Sequence, residues 1–369
     1  MAQTIQNFDD WIAYFRTWQK DIGYSTDLIG DFKFEAKFAD LDDPKIQFGD
    51  YKGQEKWKRY LQVPNQQIRD ALLHLIVYQG DTEFASVEQQ RHLLTTAPTD
   101  YDLKSALRIN AEEMRHGWQM CHLLVNYFGD TGKVEAQKML ERRAFEGTRL
   151  LGAFNEPTDH WLDFFIYTQF VDRDGKYQLK MLSHCAFAPL AQSMGPMLKE
   201  ESFHLGTGNS GLQRILRAGK IPTPIMQRYF NKWVPTAYDL FGKDGSTTSY
   251  MSYVWGLKAR YNETETNEPV DKDRLNQHAR GLYEQEIRDL CDKLNILAKP
   301  GQPKLLVPNV KFNRKIGEHM EQSFTVEGEP IAAADYKNYL AQNLPTKDDQ
   351  AQLKEIFAAG DWIAPKAAA

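Results

Sequence analysis

Two segments of the chain, Glu113-Met114-Arg115-His116 and Glu201-Ser202-Phe203-His204, each place a carboxylate three residues ahead of an imidazole. On a helix, residues three apart share a face, so each pair can grip a single metal ion. Upstream stand Glu83, thirty residues before Glu113, and Asp172, twenty-nine before Glu201. A helix–turn–helix hairpin of that length brings the two levels of each pair face to face. The pattern therefore asks for at least four helices, and it leaves little room for a sheet between them.

Four carboxylates and two histidines from four helices form the ligand set of a ferritin-like di-metal centre. The mixture suits the chemistry, because imidazole offers a neutral nitrogen while a carboxylate can bridge two metals and balance charge. Taken singly, each residue has a structural alternative. Glu113 can pair with Lys or Arg, a lone helix histidine is common, and Asp172 can cap a helix or form an Asx turn with Arg173 to Gly175. Gln79, one turn before Glu83, and Gln169, three residues before Asp172, are candidates for labile ligands or orienting hydrogen bonds, with core hydrogen bonding as the alternative. His122, His160 and His184 lack the acid spacing, His74 stands at another level, and His92 follows Glu88 without a partner elsewhere.

The rest of the sequence agrees with helices. Phe8, Trp11, Ile12, Phe15 and Trp18 fall at helical spacing within Asn7 to Gly23. Further helices are expected from Gln66 to about Leu94, Tyr101 to Phe128, and Lys133 to about Glu146. Another runs from Pro157 to about Val171, with Asn155 as its cap and a bend or stop at Asp174-Gly175. The pattern resumes from Lys176 to Leu216, interrupted at Pro189 and Pro196. Pro224 to Phe241, Thr247 to Tyr261 and Asp271 to Leu297 follow. Asp31 to Leu61 reads as irregular, and Lys299 to Asn309, with three prolines, as an extended connector. Ser323 to Pro330 reads as a short hairpin, and Ala334 to Asn343 and Lys347 to Ala359 as short helices. No internal repeat appears, and no low-complexity tract beyond Ala367 to Ala369.

The expected fold is all-α, a ferritin-like four-helix bundle with extra helices and an irregular C-terminal extension. Residues 1–64 would pack on the bundle, 65–298 form the di-metal core, and 299–369 the extension. Forty-five Lys and Arg against 50 Asp and Glu give a net charge of −5 with no basic block, which argues against nucleic-acid or membrane-surface binding. Met1 to Asp10 has neither the basic nor the apolar region of a secretory signal, and Ala71 to Tyr78, broken by His74, is too short to span a bilayer. A cytoplasmic location is expected. Cys121, Cys185 and Cys291 are widely spaced, without a CxxC pair, so an in-chain iron–sulfur cluster is not expected.

Several longer motifs resemble the BoxB family, the di-iron oxygenase component of benzoyl-CoA 2,3-epoxidase. They are QGDTEFASVEQQRHL (Gln79 to Leu93), NAEEMRH (Asn110 to His116), TQFVDRDGKYQL (Thr168 to Leu179) and EESFHLGTG (Glu200 to Gly208). FNRKIG (Phe312 to Gly317), Leu344-Pro345-Thr346 and DWIAP (Asp361 to Pro365) extend the likeness over nearly the whole chain. The resemblance implies a di-iron monooxygenase that uses dioxygen to epoxidise an aromatic acyl-CoA such as benzoyl-CoA, in aromatic degradation. It places the two iron ions on Glu83, Glu113, His116, Asp172, Glu201 and His204, with Gln79 as a changeable contact. Glu113 and Glu201 would be the bridging, catalytic carboxylates. NADPH-derived electrons would come from a separate reductase carrying flavin and iron–sulfur centres, and the chain would be a monomer or homodimer.

Relative to the BoxB proteins the chain looks shorter at the N-terminus, near Arg217 to Pro222, and between Glu263 and Lys304. Such regions shape substrate pockets, so another thioester, or a free aromatic or aliphatic acid, stays open as substrate. Arg142, Arg143, Arg149, Arg314 and Lys315 are candidates for CoA phosphates, each with a solvated surface charge as its alternative. A ferritin-like ferroxidase or iron-handling protein would need only the metal site. A structural oxygenase subunit would have lost ligands, and a radical-generating role involving Tyr78 or Tyr167 is remote.

Overall fold

Helix caps written in the sequence open several of the elements. In this computed structural model, which describes residues 5–24 and 26–366, the helices are α1 (Phe8–Asp21), α2 (Gln66–Gln90), α3 (Asp100–Tyr127) and α4 (Gly129–Glu141). They continue as α5 (Trp161–Leu182), α6 (Ala188–Ala218), α7 (Thr223–Leu240), α8 (Thr247–Val254), α9 (Leu275–Leu297), α10 (Ala333–Asn343) and α11 (Lys347–Ala359). Asn7, Asn65 and Thr99 open α1, α2 and α3 by accepting the amides of Asp10, Ile68 and Asp102, which would otherwise lack a partner. The fold is all-α: among the described residues the only β pairings are isolated bridges, and the short hairpin expected over Ser323 to Pro330 is reduced to the single bridge of Phe324 with Pro330. No described helix is long and apolar enough to cross a membrane. The tract Ala367 to Ala369 lies outside the described residues.

The chain forms two compact units. The first comprises Met1–Thr158, Gln178–Glu200 and Tyr250–Lys272, the second Asp159–Tyr177, Glu201–Ser249 and Asp273–Ala369. In the first, the α1 stripe Phe8, Trp11, Phe15 and Trp18 stacks ring on ring at centroid spacings of 5.1, 5.3 and 5.6 Å. Its rings meet Trp118 of α3 and Phe84 of α2 edge-on. Glycines bring the antiparallel helices α2 and α3 close. A Cβ on Gly80 would stand 2.9 Å from the Met120 Cβ, and one on Gly117 would enter the Phe84 ring at 2.5 Å. Beside them, buried Arg149 ties Asp81 (3.0 Å) and Glu88 (2.8 Å) of α2 to the Met139 carbonyl (2.9 Å). The irregular 31–61 segment is pinned by backbone bonds from Ala39 to Gln192 and from Trp57 to Ala186.

In the second unit, α5 and α6 touch backbone to backbone. A Cβ on Gly208 would lie 2.7 Å from the Gln169 nitrogen, and one on Gly211 2.1 Å from the Phe165 ring. Tyr177, Tyr238, Phe241 and Tyr283 form an aromatic cluster between α5, α7 and α9. Arg228 of α7 holds Asp349, the residue that also closes the capping box of α11 with Thr346.

Two expectations about α5 are corrected. The helix starts at Trp161 rather than Pro157, because Asn155 spends its amide on both backbone groups of Arg149 (3.0 Å each). His160 takes the capping role instead, accepting the Asp163 amide at Nδ1 (3.1 Å). The helix also runs straight through Asp174-Gly175 to Leu182. Glycine weakens a helix interior by about 1 kcal/mol, but Arg173, Lys176 and Tyr177 all bind Glu286 of α9 and hold this stretch in place. The α8 helix stops at Val254, and the charged helix α4 begins at Gly129, whose φ of 57° suits glycine.

Candidate metal centre

The α2–α3 contacts fix a register in which Gly80 faces Met120 and Phe84 lies over Gly117. That register sets Glu83 opposite His116, and the Glu83 Oε2 lies 3.3 Å from the His116 Nδ1. Glu83, Glu113 and His116 are all buried, and each offers a ligand atom, all within 4.8 Å of one another. Gln79, one turn earlier, donates its Nε2 to the Glu83 Oε1 at 2.5 Å. Burial alone would push Glu83 toward its neutral acid. His116, Glu113 and Gln79 outweigh it and hold the carboxyl below the ordinary range.

The other nitrogen of His116 has a partner that sequence reasoning missed. Its Nε2 lies 2.8 Å from the Oε2 of Glu200, whose carboxylate also takes the Arg115 Nε (2.9 Å) and the Lys37 Nζ (3.3 Å). Burial opposes ionisation of Glu200, but His116 and Arg115 prevail and bring its carboxyl down to about 2. An ionised Glu200 accepts the Nε2 proton, and a metal ion bound at the trio would take the Nδ1 side of the ring in place of the proton shared with Glu83. The available signal was thin: an acid directly before Glu201, in a motif whose spacing drew attention to Glu201 alone.

In the second unit, the contacts of Gly208 with Gln169 and of Gly211 with Phe165 set the α5–α6 register. Continued one turn, it places Asp172 level with His204. Glu201 and His204 are both buried, with the Glu201 Oε2 3.4 Å from the His204 Nδ1. Asp172 is buried in mid-helix, so the cap or Asx-turn alternative does not hold. Gln169 is buried, and its Oε1 has no hydrogen-bond partner among the described residues.

The arrangement fits a metal ion. Two buried carboxylates beside an imidazole carry more negative charge than an apolar interior tolerates without a cation, and oxygen with nitrogen donors suits iron or manganese. Other candidates have structural roles. Arg149 is sealed in its network with Asp81 and Glu88, and Arg142 pairs with Asp81 (3.2 Å) and Glu135 (3.7 Å). Arg143 bonds backbone carbonyls, and buried Arg314 pairs with Asp239 at 2.6 Å. None of these four arginines is the solvated surface charge that a phosphate would meet first. His160 caps α5, His184 bonds Gln47 at 3.2 Å, and His74 and His92 are exposed. The three cysteines are buried free thiols.

Comparison with known proteins adds a second line of argument. A family model described as "Phenylacetic acid catabolic protein" matches residues 60–299. The chain is 33% identical to benzoyl-CoA oxygenase component B of Aromatoleum evansii over 424 aligned positions, covering 98% of this chain and 88% of that protein. It is 25% identical over 205 positions to one subunit of the 1,2-phenylacetyl-CoA epoxidase of Escherichia coli (strain K12), covering 55% of this chain and 65% of that one.

Proposed function

The chain belongs to the phenylacetic acid catabolic protein family, and on that premise we propose that it is the oxygenase component of a multicomponent enzyme acting on an aromatic acyl-CoA. Its substrate is benzoyl-CoA or a related thioester, and the product carries one added oxygen atom as an epoxide. The proposed metal ligands are Glu83, Glu113, His116, Asp172, Glu201 and His204, holding two iron ions, with Glu113 and Glu201 as the bridging pair. Gln79 and Gln169 are the proposed changeable contacts. The observation that carries the reading is the buried trio Glu83, Glu113 and His116, with its ligand atoms within 4.8 Å of one another.

Iron bound there supplies dioxygen activation, a chemistry beyond the reach of any side chain in this sequence. The chain's own residues prepare the place for it. Glu200 holds the proton on the His116 Nε2 and leaves Nδ1 as the donor, and Gln79 orients the Glu83 carboxylate. Met114, Phe84 and Trp118, beside these residues in sequence, are buried against α1 and hold the two ligand-bearing helices to it. Three scattered buried thiols offer no cluster to relay electrons, so these come from NADPH through a separate flavin and iron–sulfur reductase. A cytoplasmic location agrees with that electron supply.

The test is anaerobic loading with ferrous iron, then reductant, dioxygen and a panel of acyl-CoAs, with products read by mass. A thioester product one oxygen heavier is expected. Oxidation of excess iron with every thioester unchanged would refute the reading and favour a ferroxidase.

A further inference from the structure

One level of the α2–α3 pair carries more unmet hydrogen-bonding capacity than a packed core permits. Gln90 ends α2 and is 1% exposed, yet neither its Oε1 nor its Nε2 has a partner among the described residues. Asn110 of α3 is 0% exposed; its Nδ2 donates to the Ala106 carbonyl at 2.8 Å, while its Oδ1 has no partner among the described residues. The adjacent Gln89 repeats the pattern, with Nε2 bound to the Glu156 carbonyl at 2.6 Å and Oε1 unmet. Burying amides in this state is costly, so such a group of them is a place kept for something else.

The register locates that place. Gly80 against Met120, Glu83 against His116 and Phe84 against Gly117 continue, antiparallel, to Gln90 level with Asn110. Gln90 lies seven residues beyond Glu83, on the same helix face and about 10 Å along the axis. Asn110 lies one turn before Glu113. Both side chains thus stand on the stripes that carry the proposed ligands, Gln90 about 10 Å from Glu83 and Asn110 one turn from Glu113 along the helix axes.

Their chemistry narrows the occupant. The Gln90 Nε2 asks for an acceptor, while the Gln90 and Asn110 oxygens ask for donors. A free carboxylate brings acceptors only, and an aromatic ring brings neither. The thioester of an acyl group with a cysteamine amide brings both: a carbonyl oxygen, then an amide N–H a few bonds beyond the sulfur. We infer that Gln90 and Asn110 recognise the thioester–amide junction of the substrate, the Gln90 Nε2 donating to the thioester carbonyl and the Asn110 Oδ1 accepting the amide N–H. This rests on the proposed substrate class and adds the part of the molecule that these residues read.

The test uses the iron-loaded full chain under anaerobic conditions and measures binding by calorimetry. The probes are benzoyl-CoA, the benzoyl thioester of N-acetylcysteamine, and benzoate. Gln90→Met keeps the side-chain length and removes both unmet groups, and Asn110→Leu removes the second acceptor. Each variant should bind both thioesters about tenfold more weakly, as losing a hydrogen bond of roughly 1.4 kcal/mol implies. Benzoate binding, iron content and melting temperature should not fall. If the wild type binds the thioesters and Gln90→Met binds them equally well, the recognition role is overturned while the oxygenase reading stands. If the wild type takes up iron but binds neither thioester, the substrate reading fails and takes this inference with it.

Discussion

Gly206 and Gly208 sit two residues apart in α6, and replacing each with alanine separates two effects that usually arrive together. A Cβ on Gly206 meets nothing within 4 Å. A Cβ on Gly208 would lie 2.7 Å from the Gln169 nitrogen, 3.0 Å from its Cα and 3.0 Å from the Thr168 carbonyl carbon. All three atoms belong to backbone, so no rotamer change relieves the overlap and α5 must move away from α6. Both substitutions gain about 1 kcal/mol of helix propensity, which cancels when the variants are compared. What remains is the overpacking cost at Gly208, about 1–3 kcal/mol. Gly206→Ala should therefore melt at or slightly above the wild-type temperature, and Gly208→Ala several degrees below Gly206→Ala. Because the same contact sets Asp172 level with His204, Gly208→Ala should also retain less iron after dialysis, while Gly206→Ala keeps its full content. Equal melting temperatures, or equal iron contents, would refute the argument that this glycine sets the α5–α6 register.

Two further outcomes follow from single side chains. Glu200→Gln should weaken metal binding about 10- to 100-fold, measured by competition with a chelator, since a neutral amide holds the His116 tautomer less firmly; unchanged affinity would count against the positioning role. Burial opposes the ionisation of Glu286, but Arg173 and Lys176 outweigh it and keep its carboxyl below the ordinary range. Its contribution is therefore full at neutral pH, above the unfolded carboxylate pKa, and disappears as acidification carries the pH down through the folded value. Glu286→Gln should lower stability at pH 7 and flatten the acid limb of a melting-temperature profile, and a parallel downward shift at every pH would contradict this.

The sequence was most legible where the causes were local. The helix starts after Asn7, Asn65 and Thr99 have local causes, because such a cap needs only its own side chain and the amide three residues on. The ligand pattern was legible for a related reason: Glu83, Glu113 and His116 sit at helical spacings that a hairpin brings together, and the structure does bring them together. Asp174-Gly175 misled because its local signal for a stop is overridden by Glu286, more than a hundred residues away. Asn155 misled because two atoms of Arg149 claimed the amide that would have capped a helix. The arginines offered as phosphate contacts could not be told apart by sequence, since Asp81, Glu88 and Asp239 become their partners only after folding. Glu200 belongs to the same class, an acid whose value lies in what packs against it.

Arg149 and its two acids carry a consequence for how such a chain can change over generations. Asp81 and Glu88 flank Glu83 on the same helix, and one guanidinium from the 142–158 loop satisfies both. Losing the arginine takes the close ion pair from buried Glu88 and leaves Asp81 to Arg142, whereas losing either acid leaves the arginine half served and the other acid still dependent on it. Each single step therefore leads downhill, and only a joint replacement of all three leads out. The three positions form one unit of inheritance, and it holds the ligand-bearing helix to its rotation while the surrounding surface drifts.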